Sequence, residues 1–259
     1  MFFYDSPLAA RLFDLQNEGD PILETERDFF LDAVRDAAGP VLDMGCGTGR
    51  ILLPALQGGA EIRGVDVSTA FLARLRTKAQ ALGLAPAVWR ATLCSPAVRR
   101  GAFALAFAAF RTFDHLVEPG SRRQFLRETR HLLRPGGRLL LNLANPDPLE
   151  LQNALGQKIL MRDDLIDPDS GRRVIWWGAT RFDCETKRIL QIYQYDFVDE
   201  GGRVREIYDL RLVMRWTPFD EMEAMAKAAG YAVADRWGGF EGERFEVGTG
   251  DAVWDLRVR

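Results

Sequence analysis

The sequence predicts an α/β protein: a parallel sheet covered by helices on both faces, with an antiparallel β insertion late in the chain. From residue 22 to residue 145, short apolar runs alternate with amphipathic helical stretches, the pattern that crossover connections leave. Runs such as "FALAFAAF" are apolar throughout, as strands buried on both faces require. After Pro146 the segments lengthen, alternate in polarity and are joined by "CETK" and "EGG" turns, which is the signature of an antiparallel meander.

The elements follow in order. Residues 22–37, "ILETERDFFLDAVRDA", place Ile22, Leu23, Phe29, Phe30, Ala33, Val34 and Ala37 on one helical face, and Gly39-Pro40 ends that helix. "VLDM" is a short buried strand and "GCGTG" a turn. A helix follows over Arg50–Gln57, with Pro54 tolerated only in its first turn. "EIRGVDV" is the second strand, and Ser68 caps a helix over 69–82 that Gly83 closes. "PAVWRAT" and "FALAFAAF" are strands three and four, helix 121–133 ends at "RPGG", and "RLLLNLA" is strand five.

The insertion, 160–216, reads as three strands: "RVIWWGATRFD", "RILQIYQYDFVD" and "RVREIYDLRLVMRW". In the third, Val204, Tyr208, Leu210, Leu212, Met214 and Trp216 share a face, opposite Arg205, Asp209, Arg211 and Arg215. A helix over 218–229 and the strands "YAVADRW" and "AVWDLRV" complete the chain. The whole reads as a single α/β domain.

Composition excludes several functions. The 259 residues are 47% apolar and 27% charged, with a formal net charge of −3, so no basic face is expected to replace phosphate counterions on a nucleic acid. Arg122, Arg123, Arg127, Arg130 and Arg134 form a local cluster, but at the spacing of the wet side of a surface helix. Cys46, Cys94 and Cys184 have neither metal-ligand spacing nor an even count. No basic leader and no apolar run of about 18 residues is present. The expectation is a cytoplasmic protein with no membrane, nucleic-acid or metal partner.

The stretch "GPVLDMGCGTGR" carries the chemistry. Its glycines let the backbone turn sharply and let a ligand approach closely, at the strand end where such sheets bind ligands. The spacing is G-x-G-x-G, whereas dinucleotide sites use G-x-G-x-x-G. Asp43, just before the loop, would repel a pyrophosphate and welcome a cation. Asp66, at the tip of strand two, either accepts both hydroxyls of a ribose or caps the helix that follows.

"VLDMGCGTGR", "IRGVDVS" and "LRPGGRLLLNL" together resemble the class I S-adenosylmethionine-dependent methyltransferases over roughly residues 22–145. The resemblance implies a Rossmann-like seven-stranded sheet with helices on both faces, the antiparallel insertion falling between strands five and six. It implies a division into an N-terminal helical lid (1–38), a cofactor-binding core (39–145), the inserted meander (160–216) and a C-terminal segment (217–259). The cofactor would be S-adenosyl-L-methionine and the substrate a small molecule; a homodimer is compatible with the pattern.

The resemblance also assigns residues. Gly45, Gly47 and Gly49 would floor the cofactor, Asp43 would hold its ammonium end and Asp66 its ribose, with Cys46, Val67 and Phe110 beside it. Thr92 stands where the family often has an acid that binds the adenine amino group, with Leu93 able to pack on the ring. Ala104 likewise replaces a common Asp.

The strand-four tip, "AAFRTFDHL", is similar to the "S-x-x-H-L" of small-molecule amine and aminosugar N-methyltransferases. His115 is there either a general base or a backbone partner. Tyr4, in "FFYD", resembles a lid residue and is a second catalytic candidate. Arg111 is a candidate for an acidic substrate group. Trp176, with Trp177, Tyr193, Tyr195 and Trp216, either lines a substrate pocket or belongs to the core or a dimer interface.

Methyl transfer to nitrogen or oxygen of a small metabolite is the leading expectation. A binding protein that keeps the cofactor without turnover is the alternative. A base-methylating enzyme is disfavoured because "FRTF" replaces the N/D-P-P-Y type of motif.

Overall fold

The computed structural model of the protein describes residues 6–152 and 156–259. Two helices lead the chain, α1 (Pro7–Asn17) and α2 (Pro21–Arg35). Each begins with proline in its first turn after a side-chain cap: Ser6 accepts from Ala9 N–H, and Asp20 from Ile22 and Leu23 N–H. The core then runs β1 (Val41–Met44), α3 (Leu52–Gln57), β2 (Ile62–Asp66), α4 (Thr69–Ala81), β3 (Ala87–Arg90) and β4 (Phe103–Ala108). A 3₁₀ turn at Thr112–His115 precedes α5 (Pro119–Leu132) and β5 (Leu133–Asn145).

After a short α6 (Pro148–Gln152) come β6 (Ile159–Ile166), β7 (Arg173–Asp183), β8 (Arg188–Val198) and β9 (Val204–Arg215). The chain closes with α7 (Phe219–Ala228), β10 (Tyr231–Trp237) and β11 (Gly250–Val258).

The main sheet has seven strands in the order β10-β11-β5-β4-β1-β2-β3. Strands β1 to β5 pair in parallel, while β11 is antiparallel to both β5 and β10. The chain reverses direction across the sheet between β1 and β4, which opens a crevice at their carboxyl ends. Helices cover both faces because successive strand residues alternate sides. Leu42, Met44, Ala106 and Ala108 pack with Phe125 and Leu126 of α5 and Met222 of α7. Val41, Leu105 and Phe107 pack with Phe30 of α2, Leu52 of α3 and Leu75 of α4.

The inserted sheet has four strands, β6-β7-β8-β9, rather than the three the pattern predicts. The extra strand, "ILMRDDLI", is mostly exposed, and its pairing with β7 is broken by irregularities on either side of Arg162. An edge strand of that kind has no clean alternation to find.

Three further expectations are corrected. Val204 is 46% exposed at the start of β9, whereas Arg215 at its end is buried, because Glu221 of α7 pairs with it at 2.8 Å. Ile22 is exposed, while Glu26 on the same helix is buried. Arg122, which spacing puts on a wet face, is fully buried in a network of hydrogen bonds. Among the described residues no helix is long and apolar enough to cross a membrane.

Candidate cofactor site at the β1–β4 crevice

A cavity of about 270 Å³ opens at the ends of β1, β2 and β4, roofed in part by Phe13 of α1. Its floor is the glycine loop. Gly45 and Cys46 both donate their N–H to the carbonyl of Val65, at 2.8 and 3.0 Å, which folds the loop back onto β2. Gly45 has φ +93°, and a Cβ there would lie 2.5 Å from Thr112 Cγ2, so glycine lets the loop touch the strand-four tip. Gly47 has φ +55°, and the nearest atom to a built Cβ is 3.7 Å away; the space over it belongs to the cavity.

Two carboxylates face this space. Asp66 takes the Gly47 N–H at 2.9 Å and the Ser68 N–H at 2.8 Å, so it ties the loop to the cap of α4 while lining the cavity. Burial raises its pKa against the lowering effect of those N–H groups. Asp43 is 3% exposed, and its carboxylate accepts no hydrogen bond among the described residues. Burial first, and then the charge of Asp66, hold its pKa well above the usual carboxylate range, with Arg50 pulling the other way. A positively charged ligand relieves that cost. The other walls are apolar, with Phe71, Leu93 and Phe110 among them, as a purine ring requires. The donor set and the bare glycine floor therefore fit an adenosyl sulfonium amino acid.

The strand-four tip forms the opposite wall. Phe110 and Arg111 both take left-handed backbone conformations, φ +49° and +56°, an arrangement that costs non-glycine residues energy and persists only when held. Glu26 accepts the Phe110 N–H at 2.6 Å and Asn142 the Arg111 N–H at 2.9 Å. The Arg111 guanidinium grips Asp251 through two bonds of 2.9 and 3.0 Å and also donates to the carbonyl of Gly250.

His115 ends the 3₁₀ turn and lines the cavity; burial pushes its imidazole down to about 4, so it is neutral at ordinary pH. Its neighbour Asp114 is fully buried. It accepts the Ala144 N–H at 2.7 Å and faces Arg122 at 3.4 Å. Burial lifts Asp114 to about 6 in spite of that arginine.

Residues 41–137 match the family described as a methyltransferase domain. The CcbJ methyltransferase of Streptomyces caelestis superposes with a TM-score of 0.75 at 26% identity, over 94% of this chain and 98% of that one. Over residues 41–137 the protein carries a methyltransferase domain. Ubiquinone biosynthesis O-methyltransferase of Ruegeria pomeroyi is 31% identical over 149 residues, which are 57% of this chain. That match spans only 56% of the curated relative's length. An amino pentose methyltransferase of Micromonospora echinaspora shares the fold, with a TM-score of 0.71 at 18% identity over 96% of each chain.

Within the methyltransferase domain, Asp43, Gly45, Cys46, Gly47, Asp66, Val67, Thr92, Leu93, Phe110 and His115 all line the one cavity. The Cys46 thiol is pushed well up by burial and stays protonated. Gly49 is not on the wall: with φ +88°, its missing Cβ makes room for Leu53, which would be 2.8 Å away. Arg111 is turned away to Asp251, so its guanidinium is engaged inside the protein. Trp176 lies in the apolar layer between α1 and the inserted sheet, its ring stacked on Tyr195 at 6.4 Å. Tyr4 and Asp5 lie outside the described residues.

Sequence patterns missed Phe13, Arg50, Glu26, Asn142 and Asp251 as parts of the site. Only Arg50 carried a local signal, since it directly follows the glycine loop.

Proposed function

We propose that the protein transfers the methyl group of S-adenosylmethionine to a nitrogen of a small metabolite, with oxygen the less favoured acceptor. One observation carries the reading: Asp43, Asp66, the bare Gly47 floor and His115 share a single cavity. When bound, S-adenosylmethionine supplies a methyl group made electrophilic by its sulfonium.

The residues of the chain do the rest. Asp43 would hold the ammonium end, and the free lone pairs of Asp66 would take the ribose hydroxyls. Leu93 and Phe71 would flank the adenine, with Thr92 at its edge. Helix α1 acts as a lid, with Phe13 over the cavity and Asp14 bonded to Thr48 at 2.6 Å and to Arg74 at 2.8 Å.

A neutral imidazole at His115 can accept an acceptor N–H and aim its lone pair, and alignment of that kind supplies about 7–11 kcal/mol in well-ordered reactions. So weak a base cannot strip an alcohol of its proton, which is why nitrogen is favoured. The homodimer belongs to the same reading, with the exposed Leu160, Ile207 and Val213 of the inserted sheet as its contact; light scattering would read the mass.

The test is calorimetric titration with S-adenosylhomocysteine and NAD, followed by labelled methyl transfer to a panel of amines and hydroxyl compounds. Tight binding of S-adenosylhomocysteine with label in an amine product supports the reading. Preference for NAD, or cofactor binding without transfer to any member of the panel, counts against it.

A further inference from the structure

Glu26 lies on α2, remote in sequence from the glycine loop, yet it touches both walls of the cavity. Its carboxylate is 1% exposed; Oε2 accepts from Arg50 at 2.6 Å and Oε1 accepts the Phe110 N–H at 2.6 Å. Arg50 is held further by a 2.7 Å bond to the carbonyl of Leu23, and its guanidinium stands 5.5 Å from the centre of the Phe110 ring. It also lines the cavity, where it is the one lysine or arginine among the described wall residues. Its charge reaches Asp43, which is the group offered to an ammonium.

A guanidinium has five N–H donors, and the bonds to Leu23 and Glu26 leave others for the cavity. A zwitterionic amino-acid arm needs one group of each sign, and Asp43 and Arg50 are that pair. We infer that Arg50 binds the carboxylate of the cofactor's amino-acid arm, and that Glu26 couples this contact to the left-handed Phe110–Arg111 turn. The inference rests on the methyltransferase reading and deepens it.

The physical basis is shared bonding. Arg50 fixed between a ligand carboxylate and Glu26 restricts the Glu26 side chain, and Glu26 in turn holds the strained turn through Phe110 N–H. Glu26 is thus a positioning residue: it touches neither methyl nor acceptor, and acts through Phe110.

Two ligands test this: S-adenosylhomocysteine and its decarboxylated analogue, which keeps the ammonium and loses the carboxylate. Wild-type protein should prefer the former by about tenfold or more, as loss of a charge-assisted bidentate partner implies. Arg50→Gln should bring that ratio close to one without weakening the analogue. Asp43→Asn should weaken both ligands alike.

Hydrogen exchange supplies the second readout. S-adenosylhomocysteine should slow exchange at the Phe110 amide in wild type, and should not do so in Arg50→Gln. Glu26→Gln keeps an acceptor for Phe110 but loses the charge, and should narrow the ligand ratio. Should that buried variant not fold, Arg50→Gln, at a side chain that is 18% exposed, decides alone. An unchanged ligand ratio in Arg50→Gln overturns the carboxylate contact; an unchanged exchange response overturns the coupling. Binding of neither ligand to wild type would instead remove the methyltransferase reading beneath both.

Discussion

The glycine loop and the strand-four tip face each other across one cavity, yet they are built by opposite means. The loop is held by near neighbours: its N–H groups bond to Val65 and Asp66, on the adjacent strand. The tip is held from afar. Phe110 depends on Glu26, 84 positions away, Arg111 on Asp251, 140 positions away, and the 3₁₀ turn on Arg122, which reaches Thr217 across 95 positions.

A floor made of contiguous residues can serve the same ligand whatever surrounds it. The opposite wall is assembled from α2, α5, β5, β11 and the end of the inserted sheet, so changes in α5, β5 or β11 can reshape that wall and leave the glycine floor alone, whereas Glu26 of α2 bonds to both sides. Under the proposed function, recognition of the common ligand falls to local structure and recognition of the particular one to tertiary structure.

Arg122→Ala attacks the remote clamp directly. It removes the bonds to Thr217, Leu116 and Arg215 and leaves Asp114 buried without its partner. Denaturant unfolding should show a loss of about 3–5 kcal/mol. A loss under about 1 kcal/mol would mean that the tip stands without its distant supports.

Next comes the pH response of the turn itself. His115 titrates lower in the folded protein than its ordinary 6.5, at about 4. Its contribution is therefore complete above pH 6.5 and is lost as pH falls toward 4. Asp114 is raised to about 6, so its contribution runs the other way, complete below its ordinary 3.8 and lost as pH rises through 6. The two neighbours largely offset each other in wild type. His115→Gln exposes the imbalance: from pH 4 to 6.5 wild type should gain about 3 kcal/mol on the variant. Parallel stability curves would place the imidazole in water.

Gly47→Ala probes the local side. The left-handed φ costs about 1–2 kcal/mol with a side chain present, and the new methyl group enters the cavity. Stability should fall only by that amount, while S-adenosylhomocysteine affinity falls about tenfold or more. A variant that binds normally would show that the loop is not the floor. Val204→Thr gives the smallest effect, within about 0.5 kcal/mol, because the residue is exposed at the start of an edge strand. A larger loss in thermal melting would return it to the apolar face that alternation assigned.

Legibility in the sequence followed the same division. The strands β1 to β5, the cap at Ser68 and the residues of the loop were readable because each rests on spacing within a few turns of chain. Thr92 and Leu93 were placed by position alone and do lie on the cavity wall. Arg111 and Trp176 were not placed by chemistry: an arginine at a strand tip and a tryptophan in a meander look the same whether they face a ligand or a partner inside the protein. The structure sets Arg111 against Asp251 and Trp176 against Tyr195. Arg122 misled for a related reason, since periodicity says which face of α5 it shares and not what covers that face.

By itself, the sequence determined an α/β sheet with an acidic, glycine-floored crevice, because backbone geometry and short-range charge need only adjacent residues. The tertiary structure alone decided which buried carboxylates and arginines meet at the tip of β4. Those partners are brought together by the closing of the sheet, and no spacing along the chain records a contact that exists only after the chain has packed.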